Sequence, residues 1–473
     1  MIPEATITTA NGVGLVKAAL DNQREFFGTQ VTKAVDFRVA QLKKLRQAIV
    51  KHEKALLAAL KLDLGKHEFE SYGTEIGYVL NDIDHTLRHI KKWTRPKRVA
   101  TPFMHFKASS KIYKDPYGIV LIIAPWNYPF QLLFAPLVGA MGAGNCVVVK
   151  PSEMAPHTSK VCAQIITETF EPHYIAVFEG GIPMSKELLA HKFDYIFFTG
   201  STTVGKIVYQ AAAKNLTPVT LELGGKSPCI IGKDADLTLG AKRMMWGKLI
   251  NAGQTCIAPD YVLVHESVKD DFIQAVKKTI QDQLGKDSES SKYYGRIINK
   301  RHLERLENLA ESGGTVVYGG EVNYDTLYMS PTLIDGVSDT DAVMQEEIFG
   351  PILPIMTYSN SEEVVSYVNA HAKPLALYVF CTDQSFIDKI LQETSSGGVC
   401  INDTIVHMAN GDLPFGGVGD SGLGAYHGLY SFDTFSHAKS VTHRSNKIDP
   451  PLRYAPYKLT LGLLKRFYGK LMR

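Results

Sequence analysis

The sequence is poor in cysteine, with six among 473 residues. Cys146, Cys162, Cys229, Cys256, Cys381 and Cys400 make no CxxC pair and no spacing that suits a metal. That pattern excludes a disulfide-stapled scaffold and a thiolate metal centre, and favours a reducing compartment. A surplus of charge is missing too. The 51 basic and 48 acidic residues leave a net charge of +3, too even for a dedicated nucleic-acid binder. No uncharged apolar run reaches the ~18 residues of a spanning helix. The chain begins Met1-Ile2-Pro3-Glu4, without a basic segment leading into an apolar one, so no secretory leader is expected. Hydrophobic residues at 45% and charged residues at 21% rule out disorder and low complexity as whole-chain readings. The length suits two or more packed domains.

The first ninety residues read as helix. Phe37 to Leu64 and Asn81 to Trp93 carry apolar residues at 3–4 spacing, which predicts a helical shell and no chemistry. The style changes near Arg95-Pro96. Short β-branched runs at 118–124, 145–150, 174–178, 195–199 and 219–222 alternate with helical stretches at 156–170, 183–190 and 202–214. Such alternation predicts a parallel sheet covered on both faces, an α/β fold. A second region of the same style runs from about Asp236 to Gly419. Its strands are expected near 261–264, 315–318, 352–358, 376–380 and 398–401, and its helices near 237–249, 268–284 and 300–312. The polar, β-rich stretches Lys107–Asp115 and Ser431–His443 could each leave the globule as an arm.

Ligands of open parallel sheets bind beyond the carboxyl ends of the strands. That rule directs attention to the residues just after each strand, and six segments along the chain could carry chemistry. Gly200-Ser201-Thr202-Thr203-Val204-Gly205 follows a strand and opens a helix, as a phosphate cradle does, although its spacing is not GxGxxG and a plain tight turn would look the same. Lys150-Pro151-Ser152-Glu153 could hold ribose hydroxyls or simply cap a helix. Asn251-Ala252-Gly253-Gln254-Thr255-Cys256 sets a thiol among small polar neighbours, where it could act as a nucleophile, whereas most lone cysteines are inert. Glu222 ends an apolar strand; buried, its raised pKa would suit a general base, and facing outward it would be ordinary. Asn127, in Pro125-Trp126-Asn127-Tyr128-Pro129, could donate to an oxyanion or serve the turn alone. Glu346-Glu347-Ile348-Phe349-Gly350-Pro351 reads either as a site loop or as a solvated acidic loop.

Taken in order, these segments and the Leu221-Glu222-Leu223-Gly224-Gly225-Lys226 run resemble the aldehyde dehydrogenase superfamily over about residues 118–440. Cys256 to Tyr261, Leu413 to Gly428 and Ser431 to His437 are most similar to its class 3 and fatty aldehyde branch. The resemblance implies a five-stranded variant Rossmann cofactor domain, an α/β catalytic domain and a β bridging arm. Residues 1–222 would form the helical shell and the NAD(P)-binding domain, with a hairpin at 98–116; 223–420 would form the catalytic domain, 421–445 the arm and 446–473 a basic amphipathic tail. It further implies oxidation of aldehydes to carboxylic acids with NAD, or NADP, through a cysteine thioester, in a homodimer. Cys256 would be the nucleophile, Glu222 the general base and Asn127 the oxyanion donor. Gly200 and Ser201 would hold the pyrophosphate, Lys150 and Glu153 the adenosine ribose, and Glu347 the nicotinamide ribose, with Phe349 beside it; Trp126 and Gly205 complete the cofactor-binding set. No metal is implied. Glu153 favours NAD, because a carboxylate repels a 2′-phosphate, and Lys150 partly offsets it.

The last twenty-one residues carry Arg453, Lys458, Lys465, Arg466, Lys470 and Arg473 and no acid. Leu464, Phe467, Tyr468 and Leu471 fall at helical spacing. The expectation is a cytoplasmic enzyme for lipophilic aldehydes with peripheral membrane contact through 453–473. A helix packed on the protein itself is the plainer alternative. Three other readings stay open: a thioester-linked acylating relative, a silent protein on the same fold, and a cysteine hydrolase, which would need His407 or His427 beside Cys256. Asp420 has no role in any of them.

Overall fold

The computed structural model describes residues 12–102, 105–449 and 454–471. Helices Gly12–Gly28, Val35–Leu64 and Gly77–Trp93 form the expected shell. The second of these buries Leu42, Leu45, Ile49, Leu56 and Leu60, one stripe at helical spacing. It stops at Gly65, whose left-handed backbone (φ 65°) caps the helix and turns Lys66 inward.

Two sheets share the core. The first orders its strands as Gly422–Leu423, Val219–Glu222, Tyr195–Thr199, Ile119–Ile123, Cys146–Lys150 and Ile175–Val177. Five are parallel, as the resemblance implies, and the two-residue Gly422–Leu423 edge is antiparallel. Every residue of Ile119–Ile123 and Cys146–Lys150 is buried, which is why those runs show no polar alternation. The helix Gln131–Ala143 beneath them is buried on all sides. Being apolar all round it has no periodicity, and the sequence did not signal it. The second sheet runs Thr315–Tyr318, Thr332–Asp335, Ile352–Tyr358, Tyr261–His265, Pro228–Ile231, Ala376–Phe380 and Gly398–Ile401. Only the first pairing is antiparallel. Pro228–Ile231 escaped the sequence reading because it is four residues long and begins with proline.

A separate three-stranded sheet takes in parts of both polar, β-rich stretches. Lys97–Val99, Ala108–Pro116 and Ser436–Arg444 pair antiparallel, with Ser436 opposite Pro116 and Arg444 opposite Ala108. Its last strand begins at Ser436, later than the 421 or Ser431 expected for an arm. Gly422–Leu423 belongs to the first sheet, and Gly428–Thr434 is helix. Phe432 and Phe435 are the cause. Both are buried, and they seat this segment against the all-apolar helix, where Gly139 leaves room for Ser431 and the Phe435 ring. Aromatic burial decides the local structure over the β-rich pattern.

Asn145 fastens these parts. Its Oδ1 accepts from the Gly118 N–H (3.0 Å), and its Nδ2 donates to the carbonyls of Ala140 (3.1 Å) and Phe435 (3.0 Å). It is fully buried. Asn145→Ala leaves those groups unpaired, and urea titration is expected to show a stability loss of about 3 kcal/mol.

Candidate active site

The two sheets meet where their strands end. Helix Leu237–Leu249 stops there, and the next residues turn sharply: Asn251 (φ 52°), Ala252 (φ 51°) and Gly253 (φ 76°) are all left-handed. Two of the three are not glycine, so the turn stores strain and persists only because its surroundings hold it. The Asn251 N–H donates to Glu70 Oε1 (2.8 Å). Its side-chain amide donates to the carbonyls of Asn127 (2.8 Å) and Gln254 (3.1 Å). Gln254 Nε2 donates to the carbonyls of Asn251 and Arg296, and its Oε1 accepts from the Ile298 N–H. Thr255 bonds the Tyr128 hydroxyl at 2.7 Å. Cys256 emerges from this lattice half-buried.

Asn127 stands opposite. One N–H of its side-chain amide donates to the Gln254 carbonyl (3.0 Å); an amide has a second N–H to offer. Its backbone is held from the helical shell. Lys66 Nζ donates to the Asn127 carbonyl (3.3 Å), lies 4.0 Å from the Tyr128 ring centre and pairs with Glu75 at 2.7 Å. Glu75 Oε2 accepts the N–H groups of Phe130 and Gln131, the start of the buried helix. Lys66 and Glu75 are both excluded from solvent. The expectation of a shell without chemistry is therefore corrected: it supplies the ion pair that sets the Asn127 loop. No sequence signal could show this, since Lys66 and Asn127 lie 61 residues apart.

Glu222 ends its strand buried, and neither carboxyl oxygen meets a hydrogen-bond partner among the described residues. Burial alone raises its pKa well above the usual carboxylate range. Burial also raises the Cys256 thiol, and the negative charges of Glu347 and Glu222 raise it further. Glu347 is pushed up to about 8, by burial first and then by Asp260; the Gly225 backbone, Lys226 and Arg305 oppose that rise. Lys226 clamps the Glu347 loop, donating to Asp260 Oδ2 (2.6 Å) and to the carbonyls of Val343 and Glu346. Asp260 Oδ1 accepts from the Ile348 N–H, and Arg305 grips Glu346 Oε1 at 2.8 Å. Phe349 is left-handed (φ 51°) and meets the Trp126 ring edge-on at 5.3 Å. Lys226, Asp260 and Arg305 were not singled out from sequence, because each acts through another residue.

Cys256 lies where two cavities join. One, of about 700 Å³, is lined by Trp126, Asn127, Gly200, Ser201, Glu222, Glu347, Phe349 and Asp420. The other, of about 660 Å³, is apolar, lined by Tyr78, Tyr128, Trp246, Ile257, Ile405, Met408, Phe415 and Tyr426. The first suits a dinucleotide. Ser201 caps helix Thr202–Ala213, so the helix presents its amino end to the cavity, and Gly200 and Gly224 leave room where a Cβ would strike Phe198 and Glu347. Gly205 does not face this space; it lets the helix pack on Leu223, whose Cδ2 lies 2.6 Å from where a Cβ would sit. Lys150 and Glu153 pair with each other at 2.7 Å beyond a neighbouring strand, outside this lining. His407 contacts Cys400 Sγ at 3.0 Å, and His427 is buried among Tyr78, Phe415 and Tyr426. Neither histidine lines the cavities that meet at Cys256.

A profile described as the aldehyde dehydrogenase family matches residues 5–441. The 4,4'-diaponeurosporen-aldehyde dehydrogenase of Staphylococcus aureus is 49% identical over 96% of this chain and 100% of its own length. The dimeric NADP-preferring aldehyde dehydrogenase of Rattus norvegicus is 45% identical over 92% of this chain and 96% of its own. A solved structure of Staphylococcus aureus AldH in its substrate-bound state superposes with a TM-score of 0.94, at 49% identity, covering 96% of this chain and 99% of that one.

The buried Lys66–Glu75 pair predicts an asymmetric response. Lys66→Met strands the Glu75 charge, and denaturant unfolding is expected to report a loss of about 3–5 kcal/mol. At temperatures where the variant is still folded, turnover should fall as well, because the Asn127 carbonyl loses its anchor.

Proposed function

The chain belongs to the aldehyde dehydrogenase family, and on that premise we propose that Cys256, Glu222 and Asn127 carry its oxidation of aldehydes to carboxylic acids with NAD or NADP. The observation behind this assignment is the place of Cys256, at the junction of a polar cleft that fits a dinucleotide and an apolar cavity that fits a hydrocarbon chain. The thiolate of Cys256 adds to the aldehyde carbon, and the flat carbonyl becomes a tetrahedral thiohemiacetal. The free N–H of the Asn127 amide and the backbone N–H of Cys256 receive the oxyanion, an effect of about 3 kcal/mol for one such donor. The bound nicotinamide supplies the hydride acceptor. A thioester on Cys256 is left. Glu222, in its ionised form, takes a proton from the water that cleaves it. A thioester passed to another acceptor would not need this base, so Glu222 speaks for hydrolysis.

Gly200 and Ser201 receive the pyrophosphate, Glu347 the nicotinamide ribose against Phe349 and Trp126, and Lys150 with Glu153 the adenosine ribose. In this reading Gly205 serves the cradle through helix packing. Glu153 prefers NAD, and NADP is also accepted. The substrate is a medium-to-long-chain or otherwise lipophilic aldehyde. The aromatic and aliphatic walls of the second cavity support that class, as does the relative named for diaponeurosporen-aldehyde. The arm joins two copies: both outer strands of its sheet have an unpaired edge among the described residues, and the rat relative is named as dimeric.

The tail supports a peripheral membrane contact. Leu461–Leu471 is helix, and Leu461, Leu463 and Tyr468 are exposed alongside Lys465 and Arg466. Arg453 and Arg473 lie outside the described residues. No helix among the described residues is long and apolar enough to cross a membrane.

Three sets of outcomes follow. Reduction of NAD or NADP, assayed with aldehydes from acetaldehyde to hexadecanal, should rise in efficiency with chain length and vanish in Cys256→Ala. Glu222→Gln should keep a first-turnover burst and lose steady-state rate. Because burial raises the Glu222 pKa, the ionised base gains population only above the ordinary carboxylate range, so wild-type thioester hydrolysis should climb as pH rises beyond that range and the variant's should not. Turnover restricted to short aldehydes would overturn the lipophilic assignment. In co-sedimentation with anionic liposomes, the full chain should pellet and a 1–452 truncation should stay in solution; equal partitioning would refute the membrane contact.

A further inference from the structure

Asp420 has no part in the chemistry above, yet the fold places it in the cofactor cleft. It sits at the tip of a tight turn. Gly419 is left-handed (φ 67°), the Gly422 N–H donates to the Gly419 carbonyl (3.2 Å), and Ser421 Oγ bonds the backbone of Val418 in both directions. The turn is fixed to the sheet edge: Gly422 pairs with Glu222, and the Leu223 N–H donates to the Ser421 carbonyl (3.1 Å). Thr202 Oγ1 donates to the Asp420 carbonyl (3.1 Å), which ties the tip to the first turn of helix Thr202–Ala213. Asp420 lines the same cavity as Gly200, Ser201 and Cys256. Its nearest cation is Lys206, at 3.9 Å, and both side chains are well exposed. A loose pair of that kind neutralises little.

The fold therefore holds a carboxylate beside a helix end that favours anions. We propose that Asp420 sets cofactor affinity by repulsion: its charge weakens the grip of the Gly200–Ser201 turn on the pyrophosphate of either dinucleotide, and so speeds release of the reduced cofactor. The inference rests on the reading of this cleft as the cofactor site. The pyrophosphate is common to NAD and NADP, so the effect acts on both alike, unlike that of Glu153. Reduction leaves the pyrophosphate unchanged, so the reduced cofactor is repelled at the same place.

Binding titrations on the full chain, by calorimetry for the oxidised dinucleotides and by fluorescence for NADH, test this. Asp420→Asn keeps the shape and removes the charge. The expected result is a Kd lowered about three- to tenfold for NAD, and by the same factor for NADP and for NADH. The gap from wild type should narrow between about 0.01 and 1 M salt, as the screening length falls from ~30 to ~3 Å. Unchanged or weaker binding would overturn the proposal, as would a shift confined to one of the two cofactors. Ser201→Asp, which keeps the helix cap, separates the two failures. It should weaken all dinucleotides; if it does not, the assignment of the cleft itself fails, whatever Asp420→Asn does.

Discussion

The hydrogen bond from the Asn127 amide to the Gln254 carbonyl joins the end of one sheet to the loop that leads into the other. Each side of that bond is under tension of a different kind. On one side, Asn251 and Ala252 hold left-handed conformations that cost free energy. On the other, Lys66 and Glu75 form an ion pair wholly out of water, and ions give up much hydration to reach such a place. Both persist because the surroundings bond most of the polar groups at this joint: Glu70 takes the Asn251 N–H, Glu75 takes two helix N–H groups, and Gln254 uses both ends of its side chain. Cys256 and Asn127 are thus fixed to one frame.

Within that frame the ionisable groups are kept close to neutrality. Burial raises the Cys256 thiol, the Glu222 carboxyl and the Glu347 carboxyl together, and the two acids add to the rise of the thiol. A thiol in such surroundings is protected from indiscriminate reaction. Lys226 and Arg305 oppose the rise at Glu347. Glu222 meets no hydrogen-bond partner among the described residues, and its burial alone raises its pKa.

Much of the site was legible in the chain because strand ends carry ligands and because short polar motifs follow each strand. Cys256, Asn127, Glu222, Gly200, Ser201, Glu347 and Phe349 all come to one cleft. Gly205, Lys150 and Glu153 do not line it: Gly205 acts through packing, and the Lys150–Glu153 pair lies one strand further along the sheet. The positioning residues were invisible. Lys66, Glu75 and Arg305 look like any charged residues of a helical surface until the fold buries them or points them at a loop.

Local patterning determined the α/β class, the alternation of buried strands with helices, and the order of the motifs, because those depend on neighbours within one or two turns of chain. Tertiary structure decided the rest. It buried the helix Gln131–Ala143, which has no polar face to betray its orientation, and it moved the start of the last long strand to Ser436 through Phe432 and Phe435. It also brought the turn bearing Asp420 against a helix 218 residues earlier in the chain. Contacts between such distant residues depend on how the sheets close on each other, and burial then sets the charge state that chemistry requires.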